Sequence, residues 1–149
     1  MITQIKKILL VAVCLTFVLS ACNKNKKLNK SLDGIWLTTY INGVPVTMAD
    51  DPIQYQFSKS NKDGGNVSIT YFDNKSVDDE YKGTYKITND GKTITIDASA
   101  TPGSKTDPDS KIHLVDAISN KTDKKFTIEE TSEERRGFIF TDIFILEKQ

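Results

Sequence analysis

The sequence predicts an all-β fold: an antiparallel up-and-down meander that closes into a small barrel of about eight strands. Three observations carry this prediction. From Ser31 onward, apolar and polar residues alternate with a period of two in short segments that turn residues separate. No segment carries a convincing apolar stripe of an amphipathic helix. Most connections are too short for the crossovers of a Greek key, which favours a barrel over a two-layer sandwich.

The individual strands follow from this alternation and from the turns between the segments. The first strand is predicted over 34–41, and Asn42-Gly43 ends it because both residues tolerate positive φ. Pro45 lies in the return strand over 44–48 and cannot donate to a ladder, so this strand is short, bulged or at an edge. Further strands are predicted over 53–58, 67–72, 81–88, 93–98, 112–118, 126–131 and 137–147, with a turn over 59–66, an acidic loop over 73–80 and a longer loop over 99–110.

The N-terminal segment is typical of a secretory signal. Two lysines precede an apolar run over 8–19, which is shorter than the roughly twenty residues that span a bilayer. The run ends in Leu19-Ser20-Ala21-Cys22, which resembles the lipobox of bacterial lipoproteins. That resemblance implies a signal peptide over 1–21, lipidation of Cys22, and a membrane-anchored protein of the bacterial cell envelope, with the outer membrane as the expected location.

A short basic segment separates this anchor from the predicted barrel. Residues 22–30 are polar and lysine-rich, so we predict a flexible tether ahead of a single domain over 31–149. Residues 1–30 carry six lysines and no acidic residue, which leaves the remainder with a net charge of −6. The tether lysines can contact anionic headgroups. The acidic domain favours a barrel held away from the membrane and argues against nucleic-acid binding.

Catalytic and metal chemistry find little support in the sequence. The two cysteines are Cys14, inside the predicted signal peptide, and Cys22, the predicted anchor, so the domain has no thiol. His113 is the single histidine, and a metal site would have to consist almost wholly of carboxylates. Adjacent carboxylates such as Glu129 and Glu130 point to opposite faces of a strand. We therefore predict no enzyme, no metal and no cofactor.

A second resemblance concerns the domain itself. Leu32-Asp33-Gly34-Ile35-Trp36 resembles the Gly-x-Trp signature of lipocalins and of compact lipocalin-like bacterial lipoproteins, and the hairpin over 81–96 resembles the mid-domain hairpin of the compact family. The resemblance implies that Trp36 lies at the closed barrel end beneath a basic side chain from near the last strand. Arg135 and Arg136, the only arginines, are the expected partners. It also implies that the barrel binds a small hydrophobic or amphipathic ligand.

The inner faces of the strands provide candidate ligand contacts. Most inner positions are apolar, which a packed core requires as much as a ligand cavity does. Tyr55, Tyr71 and Tyr85 are the candidate ligand-binding residues, because a phenol at a barrel mouth can contact both ligand and solvent.

The last predicted strand is apolar on both faces. A barrel strand with one face in water should alternate with polar residues. Its outer residues, Ile139, Ile143 and Ile145, therefore predict contact with a protein partner or a second copy, or cover by the N-terminal segment. A non-catalytic envelope scaffold with a filled barrel remains the alternative function.

Overall fold

The structure, a computed structural model, describes residues 24–47, 49–105, 109–133 and 139–149. The predicted signal peptide over 1–21 and the predicted lipidation site Cys22 lie outside these residues. Within the described part of the chain, no helix combines the length and apolarity that a membrane crossing requires.

One short helix and nine strands make up the regular structure of the described residues. Helix α1 covers residues 24–32. A 3₁₀ turn at Asn89–Gly91 joins the fifth and sixth strands. The strands are β1 (Gly34–Ile41), β2 (Val44–Pro45), β3 (Ile53–Lys59), β4 (Gly64–Asp73), β5 (Ser76–Thr88), β6 (Thr93–Ala100), β7 (Lys111–Ser119), β8 (Lys125–Glu133) and β9 (Ile139–Lys148).

Eight of these strands form a closed antiparallel barrel, as the sequence predicted. Each of β3 to β8 pairs with the next strand along the chain, β1 pairs with β3, and β9 returns to pair with β1. Closure brings Trp36 opposite Lys148 and Thr38 opposite Leu146. The two-residue β2 pairs only with β1, which agrees with the prediction that Pro45 limits this strand.

The acidic loop predicted over 73–80 is wrong in its extent. The turn consists of Asn74 and Lys75, whose φ values are 51° and 66°, and β5 begins at Ser76. The acidic residues join the strand because cations and hydroxyls on neighbouring segments contact them. Lys105 forms an ion pair with Asp78, and Ser68 donates a hydrogen bond of 3.0 Å to Glu80.

Glycine allows neighbouring strands to approach closely in the wall formed by β3 to β6. A Cβ at Gly83 would overlap the backbone carbonyl oxygen of Asp97 in β6, and one at Gly65 would overlap the carbonyl oxygen of Ser58 in β3. Glycine at such positions lets a sheet bend enough to close into a barrel.

The prediction of a flexible tether is wrong for residues 24–30, which belong to α1. Leu28 and Leu32 are each 1% exposed and Asn29 is fully buried. Leucines four residues apart lie on one face of a helix, and here that face packs on the end of the barrel. The stripe is only two leucines long, so most of the stabilisation comes from tertiary contact rather than from intrinsic helix propensity.

Candidate functional site

The two ends of the barrel differ in how they are filled. The end that α1 covers, where β1 starts and β9 finishes, is called the closed end, and the opposite end is called the open end. At the closed end, the Asn29 amide donates hydrogen bonds to the carbonyl oxygens of Asn61 (2.8 Å) and Gly64 (3.1 Å). Its side-chain oxygen accepts a hydrogen bond of 2.5 Å from the Tyr85 hydroxyl. Helix α1 is therefore joined to β4 and β5 by buried polar contacts.

Trp36 lies at the closed end, in contact with a basic side chain. Its indole N–H donates a hydrogen bond of 2.6 Å to the carbonyl oxygen of Leu32, and its ring meets Phe126 edge-on at 4.7 Å between centroids. The Lys148 ammonium lies 5.4 Å from the centre of the Trp36 ring. The same ammonium donates a hydrogen bond of 2.6 Å to the Asp33 carbonyl oxygen. The contact is a structural clasp between α1, β1 and the end of β9.

The predicted partners of Trp36, Arg135 and Arg136, lie outside the described residues. Lys148, which the sequence analysis did not select, occupies the corresponding position in the part of the chain that is described. It is the last residue of β9, and only the pairing of β9 with β1 places it opposite Trp36.

The three tyrosines selected as candidate ligand contacts do not lie together. Tyr85 is 3% exposed and is held by Asn29 at the closed end, where burial, with a smaller contribution from Asp33, raises its pKa to about 12. Tyr55 is buried and Tyr71 is half-buried, both on the inner face of the barrel. The Tyr71 ring meets that of Tyr81 edge-on, with centroids 5.9 Å apart.

Two carboxylates face the interior beside Tyr55 and Tyr71. Asp116 continues the inner-facing row of β7 and is 2% exposed. Glu130 continues the inner-facing row of β8 and is half-buried. The four side chains of Tyr55, Tyr71, Asp116 and Glu130 are called the mouth cluster.

Burial and mutual repulsion perturb the acidity of the whole mouth cluster. Burial, followed by the charge of Glu130, raises the pKa of Asp116 to about 7. Burial and then Asp142, at the rim on β9, raise the pKa of Glu130. Burial raises the pKa of Tyr55 well above 10, and Tyr71, Asp116 and Glu130 add to this effect. These couplings indicate that the phenols and carboxylates occupy one region of the interior.

The mouth cluster lacks a countercharge among the described residues. The carboxylate of Asp116 forms neither an ion pair nor a hydrogen bond with another described side chain. The hydroxyl of Thr38, also buried and inner-facing, has no hydrogen-bond partner among these residues either. Within the described ranges, no group of three or more potential ligand side chains is arranged to hold a metal ion. The chemistry that fits two carboxylates and two phenols is an organic cation or a strong hydrogen-bond donor.

Solvent has access to the inner face near the open end. Tyr71, Ile112 and Leu114 point inward yet are only half-buried, whereas the inner residues nearer the closed end are almost completely buried. A ligand entering the open end would therefore meet an apolar wall and, deeper, the carboxylate of Asp116.

Asp116 and Glu130 were not predicted as site residues, although the sequence contains a signal for Asp116. Ile112, Leu114, Asp116 and Ile118 alternate with exposed residues, so period two places one acid among three inner-facing apolar side chains. Glu130 was noted in the sequence only as one of two adjacent acidic residues. Its inner-facing position follows from its place two residues after the buried Ile128.

The outer face of β9 is partly apolar, as predicted. Ile143 is 41% exposed and Ile145 is half-buried, and Ile139 has only its backbone described. The strand is not an edge, because it pairs with both β8 and β1. Any contact through β9 would therefore use side chains rather than unpaired backbone groups.

The fold and its interior define the class of this protein: over the described residues it is a closed, eight-stranded antiparallel β-barrel. It is similar to the structure of a redesigned beta barrel, with a TM-score of 0.54 and 14% sequence identity over 82% of this chain and 95% of that chain. At this identity the likeness concerns the fold alone. No family model matches the chain. No curated protein matches it either.

Proposed function

We propose that this protein is a lipid-anchored envelope protein whose barrel binds one small amphipathic ligand through its open end. The mouth cluster is the observation that carries the proposal. Burying ionisable groups opposes folding unless they are paired, and a filled barrel would place apolar side chains there instead. Two inner-facing carboxylates without a described countercharge favour a ligand that supplies one.

The chemical class of the ligand follows from the same residues. An apolar body would contact the inner faces of β3, β4 and β7, and a cationic or hydrogen-bond-donating head would reach Asp116 and Glu130. A fatty-acid carboxylate fits less well, because its charge would face two acids at neutral pH.

The position of α1 supports an anchor at Cys22 that lies next to the closed end of the barrel. Cys22 lies two positions before Lys24, where the described helix begins. Two residues span at most about 7 Å. Because α1 covers the closed end, lipids on Cys22 would hold that end at the bilayer and leave the open end facing the aqueous compartment.

The anchor is tested by Cys22→Ser in the full chain. We expect the variant to be secreted or periplasmic and to carry no acyl chain, because lipidation needs the thiol, and a durable anchor requires two or more chains. Cell fractionation and mass spectrometry of the purified protein provide the measurement, and the unmodified chain is the control. Membrane retention of an unacylated variant would contradict a lipid anchor at this residue.

The ligand class is tested on a form that begins at Asn23, which keeps every described contact of α1 and the barrel. Decylamine and decanoate share a chain length and differ in charge, and both are used below their micelle concentrations at pH 7.5. We expect decylamine at ten times its Kd to raise Tm by about 5 °C. Decanoate is expected to have a much smaller effect.

Two matched variants relate that shift to the mouth cluster. Asp116→Asn is expected to weaken decylamine binding by at least about tenfold, through loss of a charged partner. Asp123→Asn changes an exposed carboxylate at the closed end and should leave binding unchanged. If both variants bind equally well, the mouth cluster does not hold the cationic head.

The alternative function is a non-catalytic scaffold that binds a protein through β9. The exposed Ile143 favours it. Native mass spectrometry of the same form separates the two functions. A bound mass of lipid size supports the ligand-binding barrel. A barrel free of small molecules, with no thermal shift on adding either amphiphile, supports the scaffold.

A further inference from the structure

The closed end is strongly basic, although the domain as a whole is acidic. Helix α1 exposes its lysines to solvent, and four further lysines, from the end of β3, the β7–β8 turn and the end of β9, reach the same end of the barrel. We call this group the closed-end lysines: Lys24, Lys26, Lys27, Lys30, Lys59, Lys121, Lys124 and Lys148.

The closed-end lysines line two adjoining surface depressions. Lys26, Lys27, Lys30 and Lys59 surround the first, of about 360 Å³. The second, of about 430 Å³, shares Lys27 and Lys30 and is completed by Ser31, Asp123 and Lys148. Each depression can accommodate a phosphate-sized group, and lysines on more than one element reach it.

The described carboxylates at this end are fewer than the lysines, and one of them is the exposed Asp33, which accepts a hydrogen bond of 3.1 Å from the backbone N–H of Lys59. Asp90 lies 3.8 Å from Lys24, and Asp123 borders the second depression. The ammonium of Lys148 is held by the carbonyl oxygens of Ser31 and Asp33 rather than by a carboxylate. Partial burial and the charge of Lys27 lower the pKa of Lys121, as expected where cations crowd one another.

Acidic residues are concentrated at the opposite end of the barrel. The strand ends and turns there carry most of the described carboxylates, and Lys75, Lys82, Lys105 and Lys111 are described lysines near them. The net charge of −6 therefore conceals a separation of charge along the barrel axis. Acidic residues near the open end include Asp50, Asp51, Asp73, Asp78, Asp79, Glu80, Glu130 and Asp142.

We propose that the closed end is a docking surface for the phosphate headgroups of an anionic bilayer. The charge complements such a surface, and the chain enters α1 directly from the predicted membrane anchor at Cys22. This inference goes beyond the proposed function, because it assigns a lipid-contacting surface that binds without acylation and without a ligand in the barrel. It also reverses the expectation that the acidic domain is held away from the membrane.

Vesicle co-sedimentation of the form beginning at Asn23 tests the proposal. The vesicles are phosphatidylcholine alone, or phosphatidylcholine with about one third phosphatidylglycerol. We expect binding only to the anionic vesicles, and binding should weaken as salt rises from about 50 to 300 mM because screening increases. Inorganic phosphate at millimolar concentration should not release the protein. Release by free phosphate would instead indicate a site for a small soluble anion.

Two double variants with the same change in net charge identify the surface. Lys27→Glu with Lys30→Glu is expected to weaken binding by at least about 30-fold. Lys75→Glu with Lys111→Glu, at exposed positions near the open end, should stay within about twofold of the parent. Circular dichroism checks folding. Lys27→Gln with Lys30→Gln provides a second test if the glutamates disturb α1. Equal losses from both double variants would overturn the proposal.

Orientation on the vesicle is measured with single labels, since the form from Asn23 contains no cysteine. A fluorophore on Ser60→Cys, in the β3–β4 turn at the closed end, should be quenched by brominated lipid. One on Val77→Cys, at the exposed start of β5 near the open end, should not. Quenching at Val77→Cys alone would place the open end on the bilayer and contradict the proposal. The proposal would also be contradicted if the parent bound vesicles of phosphatidylcholine alone as tightly as anionic vesicles.

Discussion

Replacing Trp36 with alanine is expected to lower the free energy of unfolding by about 3–5 kcal/mol. The side chain is 1% exposed, so its removal leaves a large cavity at the closed end. It also removes the hydrogen-bond donor to the Leu32 carbonyl of α1. The Lys148 ammonium, which donates a hydrogen bond to Ser31 of α1, loses the aromatic ring beneath it. Urea denaturation followed by circular dichroism provides the measurement.

Trp36→Phe is the matched control for this prediction. Phenylalanine keeps most of the apolar area and an aromatic face, but it has no indole N–H. We expect it to cost about 1–2 kcal/mol, because the buried Leu32 carbonyl loses its partner and the ring is smaller. If Trp36→Ala lowered the free energy of unfolding no more than Trp36→Phe does, the cavity would not be the main source of the lost stability. The closed end would then be loosely packed.

Asp116→Asn is expected to stabilise the protein above neutral pH. Burial and the neighbouring Glu130 raise the pKa of Asp116 from 3.8 to about 7 in the folded state. The protonated acid is therefore the form that the fold tolerates. The associated stability is fully present below pH 3.8 and is lost as the pH rises to about 7. Asparagine is neutral throughout, so it avoids this loss.

The size of the gain follows from the shift in pKa. At 1.36 kcal/mol per pKa unit, the gain above pH 7 has an upper limit of about 4 kcal/mol, and access of water to the open end lowers it. Urea denaturation of both proteins at pH 4, 6 and 8 measures it. The two stability curves should converge near pH 4. The Asp123→Asn variant, changed at an exposed site, is the control, and its stability should depend on pH as that of the parent does. If the stability of the parent and that of Asp116→Asn depended on pH in the same way, the burial of a charged Asp116 would be disproved.

This gain in stability also bears on the proposed function. Residues that bind a ligand often lower the stability of the fold, and under the proposed function Asp116 would be such a residue at neutral pH. Saturating decylamine should therefore stabilise the parent toward the level of Asp116→Asn without stabilising the variant further.

Local pattern was enough to predict most strands. β1 covers the predicted residues 34–41, and β3, β6, β7 and β8 extend one or two residues beyond the predicted limits. Period-two alternation and the Asn-Gly turn are properties of neighbouring residues, so they can be recognised without tertiary information. The acidic start of β5 was missed because its charges are compensated by Lys105, a residue distant in sequence.

The site residues that were not predicted from the sequence depend on contacts between distant parts of the chain. Asn29 is polar and lies among lysines, and only its buried contacts with Asn61, Gly64 and Tyr85 reveal that α1 belongs to the fold. Asp116 and Glu130 lie on different strands, and the antiparallel β7–β8 hairpin brings them to the same interior. Lys148 reaches Trp36 because β9 closes the barrel against β1.

The sequence by itself therefore determined an all-β meander, its turns, and a lipobox-like segment ahead of it, because each of these depends on short stretches of chain. Only the tertiary structure decided that α1 closes one end, that two acids face the interior near the other, and that the lysines gather where the chain enters the barrel. The physical reason is closure: pairing β9 with β1 gives the barrel two distinct ends, and burial and charge act on the residues that meet there.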